Sequence, residues 1–545
     1  MTDPRAGKLP LDSMLIDPSA LVHAFHAERP DPSRTGERVA FGTSGHRGSA
    51  LRRSFNEEHI VAIAHAICDY RTKQGIAGPL FLGRDTHALS LPASRVACEC
   101  LAARGVSLLV AAGEAFTPTP AVSHAVLAAN RAAAGAYAAD GIVVTPSHNP
   151  PEDGGFKYDP PHGGPAETGI TSWIERRANE LLREGVTKLA RIPYERAVRE
   201  GTVQSFDFVT PYVSALPSIV DVAAIARSKV RLGVDPMGGA SGAYWQRIAE
   251  MHDIDLEVVQ PAVDPTFRFI PVDHDGKIRT DCSSPYAMAN LVAMRDRFDL
   301  CFGNDADADR HGVVTRSGGL LQPNHYLAVC VQYLFADRGW SNRVAVGKTV
   351  VSSAMIDVVA RSLGRRLVEV PVGFKWFVSG LVQGTLGFAG EESAGASFLR
   401  RDGSVWTTDK DGIVADLLAA EILAKTGRDP AQHYESLERE HGAFRYVRVD
   451  QPADPPLRSR IQKLASEEVT LGTLGGKPVT GKRTTAPGNE EPIGGVKVES
   501  DSGWFAVRPS GTEDIVKIYA ESFLGGDHLD AIVADARAFV ERLAS

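Results

Sequence analysis

The sequence is poor in cysteine, carries little net charge and has no long apolar run, and each shortage removes a class of function. Six cysteines in 545 residues (Cys68, Cys98, Cys100, Cys282, Cys301 and Cys330) form no CxxC pair and no Cys/His ligand spacing. That argues against a zinc site or a disulfide scaffold and fits a reducing cytosol. Fifty-nine Lys and Arg against 67 Asp and Glu leave a formal net charge of -8, too mild and of the wrong sign for a chain whose main partner is nucleic acid or an anionic membrane. No stretch of about 20 uncharged apolar residues occurs, and the first residues, MTDPRAGKLPLDSMLIDPSA, lack a basic region followed by an apolar core. A cytoplasmic location is expected, without membrane insertion or export.

Nucleotide signatures are missing as well. The GKT at Gly347 to Thr349 has Asn342 where a P-loop needs its first glycine, and no GxGxxG follows a strand. ATP and NAD are disfavoured, and a different small molecule becomes the default.

What is present is an ordinary folding composition. Apolar residues make up 43% and charged residues 23%, enough for sizeable cores, and the length predicts three to five domains at roughly 100 to 200 residues each. One pattern occurs three times, starting at Pro79, Lys229 and Arg343: an apolar strand with a glycine near its end, a polar loop, an amphipathic helix and a returning strand. Each copy has about 30 residues, the length of one βαβ crossover. Their glycines, Gly83, Gly233 and Gly347, lie 150 and 114 residues apart, which is domain spacing rather than solenoid spacing. Three related mixed α/β domains are predicted, with recurrence inside one large doubly wound sheet as the alternative. The last segment differs. HGAFRYVRVD, GGVKVES, WFAVRPS and IVKIYAES predict strands, and LRSRIQKLAS and DHLDAIVADARAFVERLAS predict helices, together an α+β domain. The expected boundaries are an extension over 1–40 and domains over 41–205, 206–322, 323–447 and 448–545.

Five loops are the candidates to carry chemistry. NDADADR sets Asp305, Asp307 and Asp309 at alternating positions between an apolar strand and an expected hairpin. Carboxylates so spaced converge on one hard cation only in a tight loop, which Gly303 and Asn304 permit. An EF-hand would need Gly and Glu where Arg310 and Arg316 stand, and a solvated acidic turn is the competing reading. TPSHNP runs from an apolar strand into an exposed Ser147, a placement that suits a nucleophile. The GxSxG elbow does not match, and an ordinary serine-capped turn is the alternative. GTSGHRG, with Thr43, Ser44, His46 and Arg47, and RPSGTE, with Arg508, Ser510, Gly511 and Thr512, gather amides, hydroxyls and guanidinium groups that suit anionic oxygens, although either alone is a common turn composition. GEESAG brackets Glu391, Glu392 and Ser393 with glycines and is followed by Lys410 in a DKDG turn. Such a set fits bidentate bonds to vicinal sugar hydroxyls, or is simply solvated.

In this order, TSGHRG, TPSHNP, DADADR, GEESAG and RPSGTE resemble the signature loops of the α-D-phosphohexomutases, and the EESAG form of the sugar loop is most similar to the family's bacterial glucose-specific branch. The resemblance implies an α/β fold of three related mixed α/β domains plus a C-terminal α+β domain, arranged around a central active-site cleft. It implies a phosphoserine at Ser147 and Mg2+ held by Asp305, Asp307, Asp309 and a phosphoserine oxygen. A phosphoserine beside three carboxylates would be repelled unless a divalent cation bridged them. Arg47, His148 and Lys157 are implied beside the phosphoseryl group for charge stabilisation and proton transfer. Thr43, Arg310, Lys375, Glu391, Ser393 and Lys410 are implied on the substrate, and Arg508, Ser510, Gly511, Thr512 and Lys517 on the phosphate that is not reacting. The implied activity is reversible conversion of α-D-glucose 1-phosphate to glucose 6-phosphate through glucose 1,6-bisphosphate, which also activates the enzyme. A mannose or glucosamine phosphate mutase is the alternative, and a non-catalytic sugar-phosphate sensor is the reading from another class. The expected partner is a small sugar phosphate, with no nucleic acid and no membrane; the oligomeric state, a homodimer included, is left open.

Overall fold

Buried apolar strands and the helices between them order this chain into separate sheets. The computed structural model describes residues 2–42, 45–133, 138–510 and 514–544. They fall into two compact units, Met1–Leu321 with Ser393–Asp429, and Gln322–Glu392 with Pro430–Ser545.

The first unit holds two sheets. One has six strands in the order His46–Ser49, Asp153–Asp159, Asp140–Val144, Leu80–Arg84, Leu108–Ala111 and Val203–Phe206. The last four run parallel, and Asp153–Asp159 is antiparallel to both of its neighbours. Parallel neighbours need long crossovers, and helices Ser90–Ala103 and Thr119–Ala132 provide them. The other sheet has the order Gly319–Leu320, His311–Thr315, Leu300–Asn304, Leu232–Asp235 and Leu256–Val258, with the last three parallel. Every residue of Asp140–Val144 and of Leu300–Asn304 is buried. Both strands are covered on both faces, which is why Ile142–Val144 and Leu300–Phe302 read as continuous apolar stretches.

In the second unit, Leu367–Val370, Ala345–Thr349 and Leu386–Glu391 form a parallel array with helix Met355–Ser362 as crossover. The three repeated patterns thus occupy three separate sheets, not one. The C-terminal sheet is antiparallel, in the order Arg445–Pro452, Ile515–Ser522, Gly503–Pro509, Pro492–Ser500, Lys477–Thr485 and Thr473–Leu474. Its side chains alternate as a two-residue period requires. Phe505 and Val507 pack with Val516 and Ile518 beneath helices Pro455–Gln462 and Gly526–Ala544, while Trp504, Ala506 and Tyr519 pack against Val350 and Val351. The strands Thr473–Leu474 and Lys477–Thr485 are not predicted from the sequence. Lys477–Thr485 is polar and half exposed, because a strand near a sheet edge need not bury an apolar face.

Candidate active site

The acidic loop is built by a strand that ends abruptly. Leu300–Asn304 pairs with His311–Thr315 so that Asn304 opposes His311, and the residues between them must reverse the chain. Ala308 takes a left-handed φ of 52° to close the turn. Asn304 clamps its base: Nδ2 donates to Arg310 O at 3.1 Å and to Asp416 Oδ2 at 2.7 Å, and Oδ1 accepts from Trp245 Nε1 at 2.7 Å. The loop therefore converges its carboxylates, and ligand oxygens of Asp305, Asp307 and Asp309 lie within 4.8 Å of one another, all buried. The competing reading of a solvated turn does not describe it.

Ser147 follows the strand Asp140–Val144 and has φ of 58°, in the left-handed region that a serine rarely adopts. Its amide donates to Thr145 Oγ1 at 2.8 Å and its Oγ donates to Asp305 Oδ2 at 2.7 Å, a contact between residues 158 apart. Strand Asp153–Asp159 passes close beneath the turn at Gly155, where a Cβ would lie 2.0 Å from Thr145 O; only glycine allows that approach. Expected to be exposed, Ser147 is instead 1% accessible, because Asp305 and the Thr145 hydroxyl already occupy its polar atoms. Arg47 NH1 donates to Asn149 Oδ1 at 3.1 Å, which places this guanidinium on the same turn.

Cations surround the triad. Lys157 Nζ lies 2.6 Å from Asp307 Oδ2 and 3.1 Å from Asp309 Oδ2, and Lys410 Nζ lies 3.1 Å from the same Asp309 oxygen. Lys410, read from the sequence beside the sugar loop, is set here by Asp411, whose carboxylate accepts from Val414 N at 3.0 Å and starts helix Gly412–Thr426. Arg310 Nε is 3.9 Å from both Asp305 and Asp309. Burial and the charges of Asp307 and Asp309 push the Asp305 carboxyl well above the usual carboxylate range. Burial acts the same way on Asp309, but Lys157, Lys410 and Arg310 overcome it and hold that group low. His148 Nδ1 is 3.4 Å from Ser147 Oγ, and burial, with Arg310 and Arg47 nearby, holds its imidazole well below the ordinary range, hence neutral. The donor set fits a hard divalent cation: three converging carboxylates, of which Asp307 Oδ1 and Asp309 Oδ1 are buried with no hydrogen-bond donor.

Thr119 was not singled out by any motif. At the first turn of its helix, its amide donates to Asp307 O at 2.9 Å and its hydroxyl to Asp307 Oδ2 at 2.5 Å. Nothing in the surrounding TPTP marks a contact 188 residues away.

The remaining predicted residues are distributed over both units. In the second, Glu391 ends strand Leu386–Glu391 and accepts from Gly373 N at 2.9 Å, and Lys375 Nζ stands 5.2 Å from the centroid of the Trp376 ring. Arg508 and Lys517 are cross-strand partners; Arg508 Nε donates to Ile493 O at 2.7 Å, and Ser510 N to Ile515 O at 2.9 Å. Ser393 is half-buried and belongs to the first unit. Thr43, Gly511 and Thr512 lie outside the described residues.

Comparison with known proteins gives four family matches. The phosphoglucomutase/phosphomannomutase alpha/beta/alpha domains I, II and III match residues 38–184, 210–318 and 322–440, and the C-terminal domain of that family matches 446–539. A phosphoglucomutase from Komagataeibacter xylinus is 54% identical over 542 residues, covering 99% of this chain and 97% of its own. Among solved structures, parafusin (a phosphoglucomutase) from Paramecium, in its open form, superposes with a TM-score of 0.71 at 20% identity, covering 95% of each chain. An N-acetylphosphoglucosamine mutase from Aspergillus fumigatus, in complex with GlcNAc-6P and magnesium, gives 0.57 at 16% identity, covering 97% of this chain and 99% of its own. At these identities the two structures speak for the fold alone.

Proposed function

The chain belongs to the phosphoglucomutase/phosphomannomutase family, and from that premise we infer that it is a glucose-specific phosphoglucomutase, interconverting α-D-glucose 1-phosphate and glucose 6-phosphate. Ser147 carries the phosphoryl group. The observation that carries this assignment is the 2.7 Å bond from Ser147 Oγ to Asp305 Oδ2, at the edge of three converging carboxylates. Asp305, Asp307, Asp309 and an oxygen of the phosphorylated serine would hold Mg2+, which neutralises charge on the phosphoryl oxygens. The two orphaned carboxylate oxygens support that ion.

The chain's own residues do the rest. Lys157 and Arg47 stabilise the equatorial oxygens of the phosphoryl group, and Lys410 and Arg310 keep the acidic loop from repelling it. His148, neutral and next to Ser147, takes the proton of the attacking sugar hydroxyl. The serine phosphate passes to that hydroxyl as the P–Oγ bond breaks, and the protonated His148 gives a proton to Ser147 Oγ, leaving free serine and glucose 1,6-bisphosphate; in the reverse sense the other phosphate then returns to Ser147, whose proton passes to the departing sugar oxygen, and the isomeric monophosphate leaves. Glucose 1,6-bisphosphate is thus both intermediate and activator. Glu391, Ser393, Lys375 and Thr43 hold the sugar, and Arg508, Ser510, Gly511, Thr512 and Lys517 hold the phosphate that is not reacting. A cytoplasmic setting is supported by six free, buried cysteines, and a small-molecule partner by the net charge of -8.

Intact mass tests the assignment. Glucose 1,6-bisphosphate should add one phosphate to the dephosphorylated enzyme and none to Ser147→Ala. A wild-type chain that turns over glucose 1-phosphate without ever carrying that phosphate overturns it, and turnover of the mannose and glucosamine phosphates at the same rate overturns the glucose specificity.

A further inference from the structure

The left-handed Ser147 turn is a conformation that its surroundings must impose, and those surroundings include a buried group that no motif or mechanism above employs. Asp85 directly follows the strand Leu80–Arg84, and its amide donates to Val144 O at 3.1 Å, tying it to the strand that leads into the turn. Its carboxylate is fully buried and accepts four hydrogen bonds. Oδ1 accepts from His87 N at 3.0 Å and from Ser90 Oγ; Oδ2 accepts from His87 Nδ1 at 2.8 Å and from Thr145 Oγ1 at 2.6 Å. Two of these lines reach the turn. Thr145 gives its hydroxyl proton to Asp85, so its oxygen lone pair is turned to the Ser147 amide at 2.8 Å. His87 meets an acceptor at each nitrogen, Asp85 Oδ2 at one and Asn149 O at 3.1 Å at the other. A carboxylate and a carbonyl accept only, so both ring nitrogens carry protons and the imidazole is a cation. Burial opposes that charge, and the field and hydrogen bond of Asp85 outweigh it. Phe267 covers the ring, with centroids 4.8 Å apart.

We propose that Asp85, His87 and Thr145 are positioning residues of the phosphoryl transfer: the buried Asp85–His87 pair grips both sides of the Ser147 turn, through the Thr145 hydroxyl before it and the Asn149 carbonyl after it, and so aims Oγ at the metal loop. None of the three touches the reacting atoms. The idea rests on Ser147 as the phosphoryl carrier.

Thr145→Val keeps the shape of the side chain and removes the oxygen. Phosphorylation of Ser147 by glucose 1,6-bisphosphate, followed by rapid quench and intact mass, should slow by roughly ten- to a hundredfold, as a small misalignment of reacting atoms does. Its kcat should fall in step, with KM for glucose 1-phosphate within about threefold of wild type. Thr145→Ser, which restores the hydroxyl, should recover most of the lost rate. Ser90→Ala, which removes a donor to Asp85 Oδ1 and touches no part of the turn, should lower Tm while leaving single-turnover phosphorylation near wild type. A purely structural role predicts the reverse, a lower Tm in Thr145→Val with an unchanged single-turnover rate, and that result overturns the proposal. If Thr145→Val yields no folded protein, Asp85→Asn carries the same test, since it leaves the side-chain shape and removes the charge that orients His87. Absence of phosphate on wild-type Ser147 would fail the functional reading itself, an outcome distinct from equal rates in wild type and variant.

Discussion

Each unit buries a cluster of opposite charges, and the two are resolved differently. In the second unit, Lys348 Nζ pairs with Asp357 and lies 3.3 Å from Glu369 Oε2, while Lys497 Nζ lies 3.3 Å from Glu369 Oε1. Two ammonium groups alternate with two carboxylates. Burial pushes Glu369 upward, and its two lysines more than reverse this, holding it below the usual range. Lys348 is fully buried, yet Asp357 and Glu369 keep it charged. In the first unit the three aspartates share Lys157, Lys410 and the more distant Arg310; Asp305 is pushed up, as Asp357 is in the second, but Asp307 Oδ1 and Asp309 Oδ1 have no hydrogen-bond donor, whereas Asp357 Oδ1 pairs with Lys348. The second cluster is the wetter of the two, since the Asp357 side chain is 28% accessible while all three aspartates of the first are buried. A charge cluster whose buried carboxylate oxygens meet cations is scaffold, and one that leaves buried carboxylate oxygens without a donor marks where a ligand belongs. Lys348 belongs to the GKT that fails as a P-loop, and the structure shows what it does instead.

That contrast can be broken or sharpened by measurement. The largest effect is expected at Ser147: Ser147→Ala should keep its fold by circular dichroism and lose several orders of magnitude in turnover, as removal of a covalent nucleophile does. Near-normal activity would remove the first cluster's claim to be the site. Chelation should abolish activity and Mg2+ restore it, and Asp307→Asn should shift the Mg2+ concentration dependence of the rate far more than it shifts Tm. Full turnover in excess chelator, with no metal found by elemental analysis, would make the triad another self-contained cluster. Lys348→Met tests the other side. It should destabilise the chain by about 3 to 5 kcal/mol by stranding carboxylates, while the Mg2+ dependence per folded molecule stays where it was.

Arg508→Ala should raise KM for both glucose 1-phosphate and glucose 6-phosphate and lower kcat, because binding energy from the remote phosphate also orients the reacting hydroxyl. Losing one charge-assisted contact is worth about 1.5 to 3 kcal/mol, or roughly ten- to a hundredfold in kcat/KM. An effect on one isomer alone would contradict a loop that serves each phosphate in turn. The smallest effect concerns acid. A carboxyl held low in the folded chain stabilises it above the unfolded-state value, near about 4.3 for Glu, and that contribution drains away as the pH falls towards the folded value. Glu369 should therefore add to the loss of Tm below about pH 4, and Glu369→Gln, less stable at neutral pH, should show a shallower acid limb.

Much of this was legible in the amino-acid order. The three βαβ copies follow from apolar strands returning at crossover distance, and each has its strand, helix and parallel partner. The family follows from five loops in sequence, and Gly303 and Asn304 beside the alternating Asp305, Asp307 and Asp309 already permitted the tight turn that convergence on one cation needs. These are local consequences, decided within a few residues by backbone sterics and periodicity. Tertiary structure alone decided the contacts between distant residues: Ser147 with Asp305, Thr119 with Asp307, Lys410 with Asp309, and Asp85 with Thr145. Each joins residues that the chain separates by dozens to nearly two hundred positions. Asp85, Ser147 and Asp305 each lie at or just beyond the carboxyl end of a buried parallel strand, and where those ends meet depends on how whole sheets pack, which no spacing along the sequence encodes.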